Sequence, residues 1–168
     1  MIRLTLALLL LLCCGCGYQV PGQGDALPGD VQVLYLPLFV NETTKPRLEN
    51  ALTDAVAEAL GRLPGVRISA DKDTSDAVLE GRVLSYATSA IAYDQADKIR
   101  EYQSRLSTEV KLRRVEDGRL LWQGRLERKE PFLANIDKTA QNDLEELAIA
   151  EINRRMADDL LFRLLADF

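Results

Sequence analysis

The sequence predicts an α+β fold: a two-layer sandwich in which a mixed β-sheet carries two amphipathic helices on one face, in the order β-α-β-β-β-β-α. Three observations lead there. Apolar residues recur at three- and four-residue steps in two segments, Leu48 to Leu63 and Leu144 to Leu164. Residues 102–129 alternate with period two on either side of a Glu116-Asp117-Gly118 turn. An apolar run at 31–40, with apolar residues at both parities, precedes the first helical stripe and has the pattern of a central strand covered on both faces.

Taken in order, residues 17–30 hold four Gly and two Pro and make a tether rather than an element interior. In the strand at 31–40, Val31, Val33, Tyr35 and Phe39 share one face and Leu34, Leu36, Leu38 and Val40 the other. Pro37 has no N–H, so the ladder is expected to be interrupted or bulged there. Asn41 to Thr44 offer cap residues and Pro46 suits a first helical turn. Leu48, Leu52, Val56, Ala59, Leu60 and Leu63 then form the stripe of a helix of about four turns, ended by Gly61 and Pro64-Gly65. A short strand at 66–69 and a polar loop at 70–75 follow. Residues 77–93 form a long strand with Gly81 as an expected kink or bulge. Residues 94–101 are polar and loop-like, and the strand count between Ala77 and Glu101 stays open. After the hairpin, 131–138 is expected to be a loop and Thr139 to cap a last helix. Its stripe is Leu144, Ala148, Ile152, Met156, Leu160 and Leu164, extended toward Phe168.

Parity selects the hairpin register. Directly opposed residues share a sheet face, so partners are both even or both odd. A two-residue Asp117-Gly118 turn would set Val110 against Arg125 and mix the faces. A three-residue Glu116-Asp117-Gly118 loop pairs 115 with 119. It sets Leu112 opposite Trp122, Val110 opposite Gly124 and Thr108 opposite Leu126, with Gly118 in the left-handed position.

The chain has 168 residues, a net charge of −5, 47% apolar and 28% charged residues, and no histidine. That composition belongs to a folded chain rather than a disordered one. An acidic balance argues against a dedicated nucleic-acid binder. The lack of histidine excludes Ser-His and Cys-His catalysis and histidine metal sites. No nucleophile elbow, phosphate loop or acidic metal motif is present, although carboxylates distant in sequence could still meet in the fold.

Arg3 is followed by a Leu-rich run at 4–12 and then by Cys13-Cys14-Gly15-Cys16. The run is too short to span a bilayer and has the form of a signal-peptide core. All three cysteines lie at its end, which leaves none for a disulfide framework. The segment resembles a bacterial lipobox. Only Cys16 follows a glycine, so Cys16 is the expected lipidation site, with an S-diacylglycerol and an N-acyl group. Several acyl chains would hold the protein stably in the membrane, because each buried CH₂ contributes about 0.8 kcal/mol. By the same resemblance, Gly17 is not the Asp that retains such proteins in the inner membrane, and the outer membrane is expected. The organisation is then a signal peptide at 1–15, a lipidated N-terminus and tether at 16–30, and one α+β domain at 31–168.

The odd face of the hairpin carries Arg105, Lys111, Arg113, Arg119, Arg125 and Lys129 against Glu109 and Glu127. Such a face can attract an anionic partner through phosphate contacts. It is equally what the solvated side of an antiparallel sheet should look like.

Cys16-Gly17-Tyr18, the run LPLFVNETTKPRLENALTDAVAEAL, the run SDAVLEGRVLSY and the hairpin with its DGRLLW turn together resemble the LptE family of lipopolysaccharide-assembly lipoproteins. The resemblance covers nearly all of the chain after the signal peptide, and the order and spacing of the runs carry it. It implies the same sandwich and an outer-membrane lipoprotein facing the periplasm that is not an enzyme and needs no metal and no cofactor. It further implies that the protein plugs the lumen of the LptD β-barrel, assists its assembly and binds lipopolysaccharide during insertion into the outer leaflet. Lys111, Arg113, Arg119 and Arg125 are the candidate lipopolysaccharide-contacting residues. Two rival readings use the same chain. One is a periplasmic lipoprotein module that activates a cell-wall synthase or builds a secretion-pore ring. The other is a small lipid-anchored hydrolase with buried carboxylates.

Overall fold

The structure, a computed structural model, describes residues 27–166. Cys16, most of the predicted tether and Phe168 lie outside the described residues.

Pro37 splits the first predicted strand in two. β1 (Val33–Tyr35) precedes it and β2 (Val40–Asn41) follows, with irregular chain between them. α1 (Leu48–Gly61) and β3 (Arg67–Ser69) come next, then β4 (Ala77–Tyr93), β5 (Ile99–Arg114), β6 (Leu120–Leu133) and α2 (Lys138–Ala166). The sheet order is β3-β1-β4-β5-β6, and β2 pairs β4 further along. β1 lies parallel to both β3 and β4, whereas β4, β5 and β6 form an antiparallel meander. The open question between Ala77 and Glu101 is therefore settled: β4 is one strand of 17 residues, and β5 begins at Ile99.

The core lies between the sheet and the helix layer. Leu34, Leu52, Leu60, Leu79, Leu106, Leu112, Leu126, Ile152, Met156, Leu160 and Leu164 are each no more than 1% exposed. Full burial of one such side chain contributes about 1.5–3 kcal/mol, so the alternation and the helical stripes supply the main driving force. Ahead of β1, Leu27 and Val31 form an antiparallel bridge and are both buried.

The hairpin pairs as parity required. Leu112 faces Trp122, Val110 faces Gly124 and Thr108 faces Leu126. Gly118 takes φ +68. The closure differs by one residue: the Arg114 N–H bonds the Arg119 carbonyl, and the register shifts between Leu112 and Arg113. Arg113 thus pairs with Leu120, and the extra residue is Leu121 on β6 rather than one in the turn.

Several local expectations are corrected. Leu38 and Val40 are 58% and 56% exposed, so the first strand is covered on one face only along this stretch. The Asn41–Thr44 segment does not cap α1. Asn41 Oδ1 accepts from the Thr43 N–H and hydroxyl, while Asn41 Nδ2 donates to the Lys45 carbonyl and to Glu49. The helix starts from Arg47 in the left-handed conformation without a side-chain cap. Gly81 is not a bulge: it leaves room for the Phe39 ring, whose carbons lie 2.3 Å from where a Cβ would be. The register shifts of β4 fall at Leu84 and around Ile91 instead. Gly124 gives the Trp122 ring the same clearance. β6 continues to Leu133, because Pro131 sits in an edge strand where a missing donor costs little. α2 is capped by Asp137, whose carboxylate accepts the Ala140 N–H at 2.8 Å, and not by Thr139.

Candidate functional site: the outer face of the meander

The outer face of β4, β5 and β6 is turned away from the helices and carries the charge pattern seen in the sequence. Its residues come from alternate positions, because the period-two geometry sends their neighbours into the core. Lys111 Nζ lies 3.1 Å from Glu109, and Arg113 lies 3.7 Å from Glu80 on β4. Arg105 and Lys129 flank Glu127 at 3.8 and 3.6 Å. Arg82 bonds Glu42 and reaches Glu109 at 3.7 Å. The hydrogen bond from Lys111 is the main reason the Glu109 carboxyl is held below its ordinary range, helped by Arg82 and Gln123. The face is thus a ladder of exposed ion pairs, in which β4 supplies Glu80 to the hairpin and also adds Arg82, itself paired by Glu42 from the loop before α1.

Of the four candidate cations, the structure brings Lys111 and Arg113 together on β5. Arg119 leaves the row. The extra residue at Leu121 shifts the register by one, so Leu120 rather than Leu121 stands opposite Arg113 and Arg119 falls beside Arg114. Arg119 lies in the turn, its N–H bonded to Asp117 Oδ1. Arg125 stands opposite Glu109, six residues from Arg119 along the chain and therefore about 20 Å away at the rise of an extended strand. Its Nε donates to Ser107 Oγ at 3.2 Å, and it makes no ion pair among the described residues. Arg125 is consequently the cation of this face whose charge is least compensated. The four do not form one cluster at the turn.

Sequence reasoning missed a second polar constellation, on the helix side of the sheet. Tyr86 donates to Glu145 Oε1 at 2.6 Å and lies 2.8 Å from Ser104 Oγ. Thr88 donates to the same carboxylate at 3.0 Å. Lys45 bridges Glu145 and Glu146 at 3.2 and 3.1 Å and lies 5.8 Å from the Tyr86 ring centroid. Burial pushes the Glu145 carboxyl up, but hydrogen bonds from Tyr86, Lys45 and Thr88 outweigh it and hold the group below its ordinary range. Burial likewise disfavours charge on Lys45, yet Glu146 and Glu145 hold its ammonium above the ordinary value. Lys45 and Glu145 are 100 residues apart in the chain, so only their likeness as isolated polar groups was visible beforehand. The cluster ties the loop before α1, the middle of β4 and the start of α2 together.

Between the helices, Ala51, Ala55 and Ala150 floor a groove rimmed by Asp54, Glu58, Arg62, Arg154 and Asp158. Arg62 and Arg154 are engaged with Glu58, Glu151 and Asp158. The Asn153 side chain beside it is 2% exposed, and neither polar atom has a hydrogen-bond partner among the described residues. No helix among the described residues is long and apolar enough to cross a membrane.

Comparison with known proteins adds to this geometry. The sequence model of a family described as "LptE: Lipopolysaccharide-assembly" matches residues 31–164. Comparison with curated proteins returns no match. Among solved structures, the chain is similar to the rare lipoprotein B from Shewanella oneidensis, with 23% identity, TM-score 0.54, and coverage of 77% of this chain and 90% of that one. It is also similar to an uncharacterized lipoprotein B from Nitrosomonas europaea, with 14% identity, TM-score 0.56, and coverage of 90% and 92%. A third is a putative lipoprotein from Caulobacter crescentus, with 13% identity, TM-score 0.54, and coverage of 76% and 87%. At these identities the three structures share the fold.

Proposed function

The chain belongs to the LptE lipopolysaccharide-assembly family, and from that premise we propose that it is an outer-membrane lipoprotein, acylated at Cys16 and facing the periplasm. In this reading it plugs the lumen of an LptD-type β-barrel, assists the assembly of that barrel and binds lipopolysaccharide on its way to the outer leaflet. It works by occupancy and contact rather than by catalysis, with no cofactor. The observation that carries the reading is the extent of the family match: it runs from the start of the sheet to the last turn of α2, across both layers. The ion-pair ladder supports the lipopolysaccharide part in a restricted form. Most of its cations already have carboxylates, so anion binding falls to Arg125, with Lys111 and Arg113 able to exchange a carboxylate for a phosphate.

The test is affinity purification of the full lipidated chain from native membranes, with mass spectrometry of the extracted material. Capture of a large β-barrel at about equal stoichiometry, together with an acylated Cys16, is the expected result. Recovery of a cell-wall synthase, or of an unacylated chain with no barrel, would overturn the proposal. Arg125→Glu should weaken lipopolysaccharide binding by about tenfold to a hundredfold, since one charge-assisted contact contributes about 1.5–3 kcal/mol. Unchanged binding would remove this face from the lipopolysaccharide site.

A further inference from the structure

Among the described residues, and apart from the two-residue β2, the sheet has three edges without a neighbouring strand, and they are built differently. β3 is three residues long and begins with Arg67. β6 is long but carries Arg125, Glu127, Arg128, Lys129, Glu130 and Pro131. Charges, prolines and short strands are the devices that keep an edge from pairing with another chain. The third edge is the far half of β4. The β2 ladder stops at Val83, where the Glu42 N–H bonds the Val83 carbonyl, and beyond it β4 pairs, among the described residues, only with β5. Residues 85–93 read Ser-Tyr-Ala-Thr-Ser-Ala-Ile-Ala-Tyr, with no charge, no proline and no glycine. Ile91 and Tyr93 are 45% and 59% exposed, and Ser85, Ala87, Thr88 and Ser89 are exposed as well. The bulges at Leu84 and around Ile91 twist the two ends of this edge but place no charge on it.

We propose that this half of β4 is an interaction surface on which a second copy of the same chain adds its own β4, antiparallel, about a two-fold axis at Ser89. Three features select this occupant. The segment carries no charge, so a two-fold pairing opposes no like charges. The register that uses the whole free edge, about 30 Å of strand, sets Ser89 against Ser89 of the second copy, Ala87 against Ile91 and Tyr86 against Ala92, small against large. A closed barrel wall, by contrast, has no free edge with which to pair. A pairing confined to one strand falls in the weak, concentration-dependent class of interfaces. The inference goes beyond the proposed function and rests on it only in setting the barrel aside as the occupant.

The experiment is sedimentation velocity on the full lipidated chain in detergent, from micromolar to near-millimolar protein, with circular dichroism as a check on folding. The wild type should show a reversible monomer–dimer equilibrium. Ser89→Lys and Ser89→Asp each place like charges opposite one another at the axis. Each should weaken self-association by about tenfold or more. An equimolar mixture of the two variants should recover it, because the axis then holds opposite charges; this recovery separates a pairing defect from a folding defect. A wild type that stays monomeric throughout overturns the proposal, as does a Ser89→Lys chain that dimerises like the wild type. A monomeric wild type whose barrel capture falls in Ser89→Lys would also overturn it, by giving the edge to the barrel protein instead.

Discussion

β4 runs through two environments without leaving one ladder. From Ala77 to Val83 it is flanked by β1 or β2 on one side and β5 on the other, and Ala77, Leu79 and Val83 show no exposed surface. From Ser85 to Tyr93 it has β5 on one side and no strand among the described residues on the other, and most of its side chains are in contact with water. The composition changes at the same point, from Val and Leu to Ser, Ala and Thr. Backbone pairing therefore fixes the length of the hairpin, whereas side-chain burial fixes where the domain's stability resides.

The widest separation between the halves comes from truncation. Leu79→Ala removes a side chain with no exposed surface and should cost about 2–5 kcal/mol. Ile91→Ala, at a site 45% exposed, should stay within about 0.5 kcal/mol. Urea denaturation of both variants measures the contrast, and equal costs would break the comparison. Gly81→Ala comes next. Its methyl would stand 2.3 Å from the Phe39 ring, and such overpacking costs about 1–3 kcal/mol. Adding Phe39→Leu should return part of that loss, which a double-mutant cycle reads directly. A smaller change of opposite sign is expected from Asn153→Leu. It removes a buried amide without partners among the described residues, and thermal or urea unfolding should show a gain of about 1 kcal/mol.

The same contrast explains what was legible beforehand. Alternation and helical stripes are written by burial, so the core face of the hairpin, both helices and the pairing of Leu112 with Trp122 could be read from residue types. Features set by a neighbour distant in sequence could not. Gly81 looked like a backbone device because Phe39 is 42 residues away, and nothing local says that a ring covers it. The charge excess of the hairpin looked like a binding field because Glu80, which pairs Arg113, comes from outside it. Arg119 was placed on the wrong row because a single extra residue at Leu121 reverses parity, and no residue type marks that position. Asp137 and Thr139 are both cap-forming residue types two positions apart, and only the helix start at Lys138 decides between them.

The two sets of charges, the half-buried cluster at the middle of β4 and the exposed ladder on the outer face, should respond differently to pH and salt. Glu145 has a depressed folded-state pKa. Its contribution is present above the unfolded value of about 4.5 and is lost as pH falls through the folded value. Lys45 has a raised one, so its contribution is present below 10.5 and is lost as pH rises through the folded value. Glu145→Gln should therefore flatten the acid limb of the stability profile below pH 4.5 and weaken the alkaline limb in part, because Glu146 still pairs Lys45; Lys45→Met should remove the alkaline limb and weaken the acid limb in part, because Tyr86 and Thr88 still bond Glu145. Glu109 on the ladder also has a lowered pKa, but it faces solvent, where paired charges contribute little and are screened within about 10 Å at 0.1 M salt. Glu109→Gln should thus change stability only at low ionic strength, whereas the effect of Glu145→Gln should persist in high salt. Equal salt sensitivity of the two variants would mean that the cluster is as wet as the ladder, and that the middle of β4 is not where the buried part of the sheet ends.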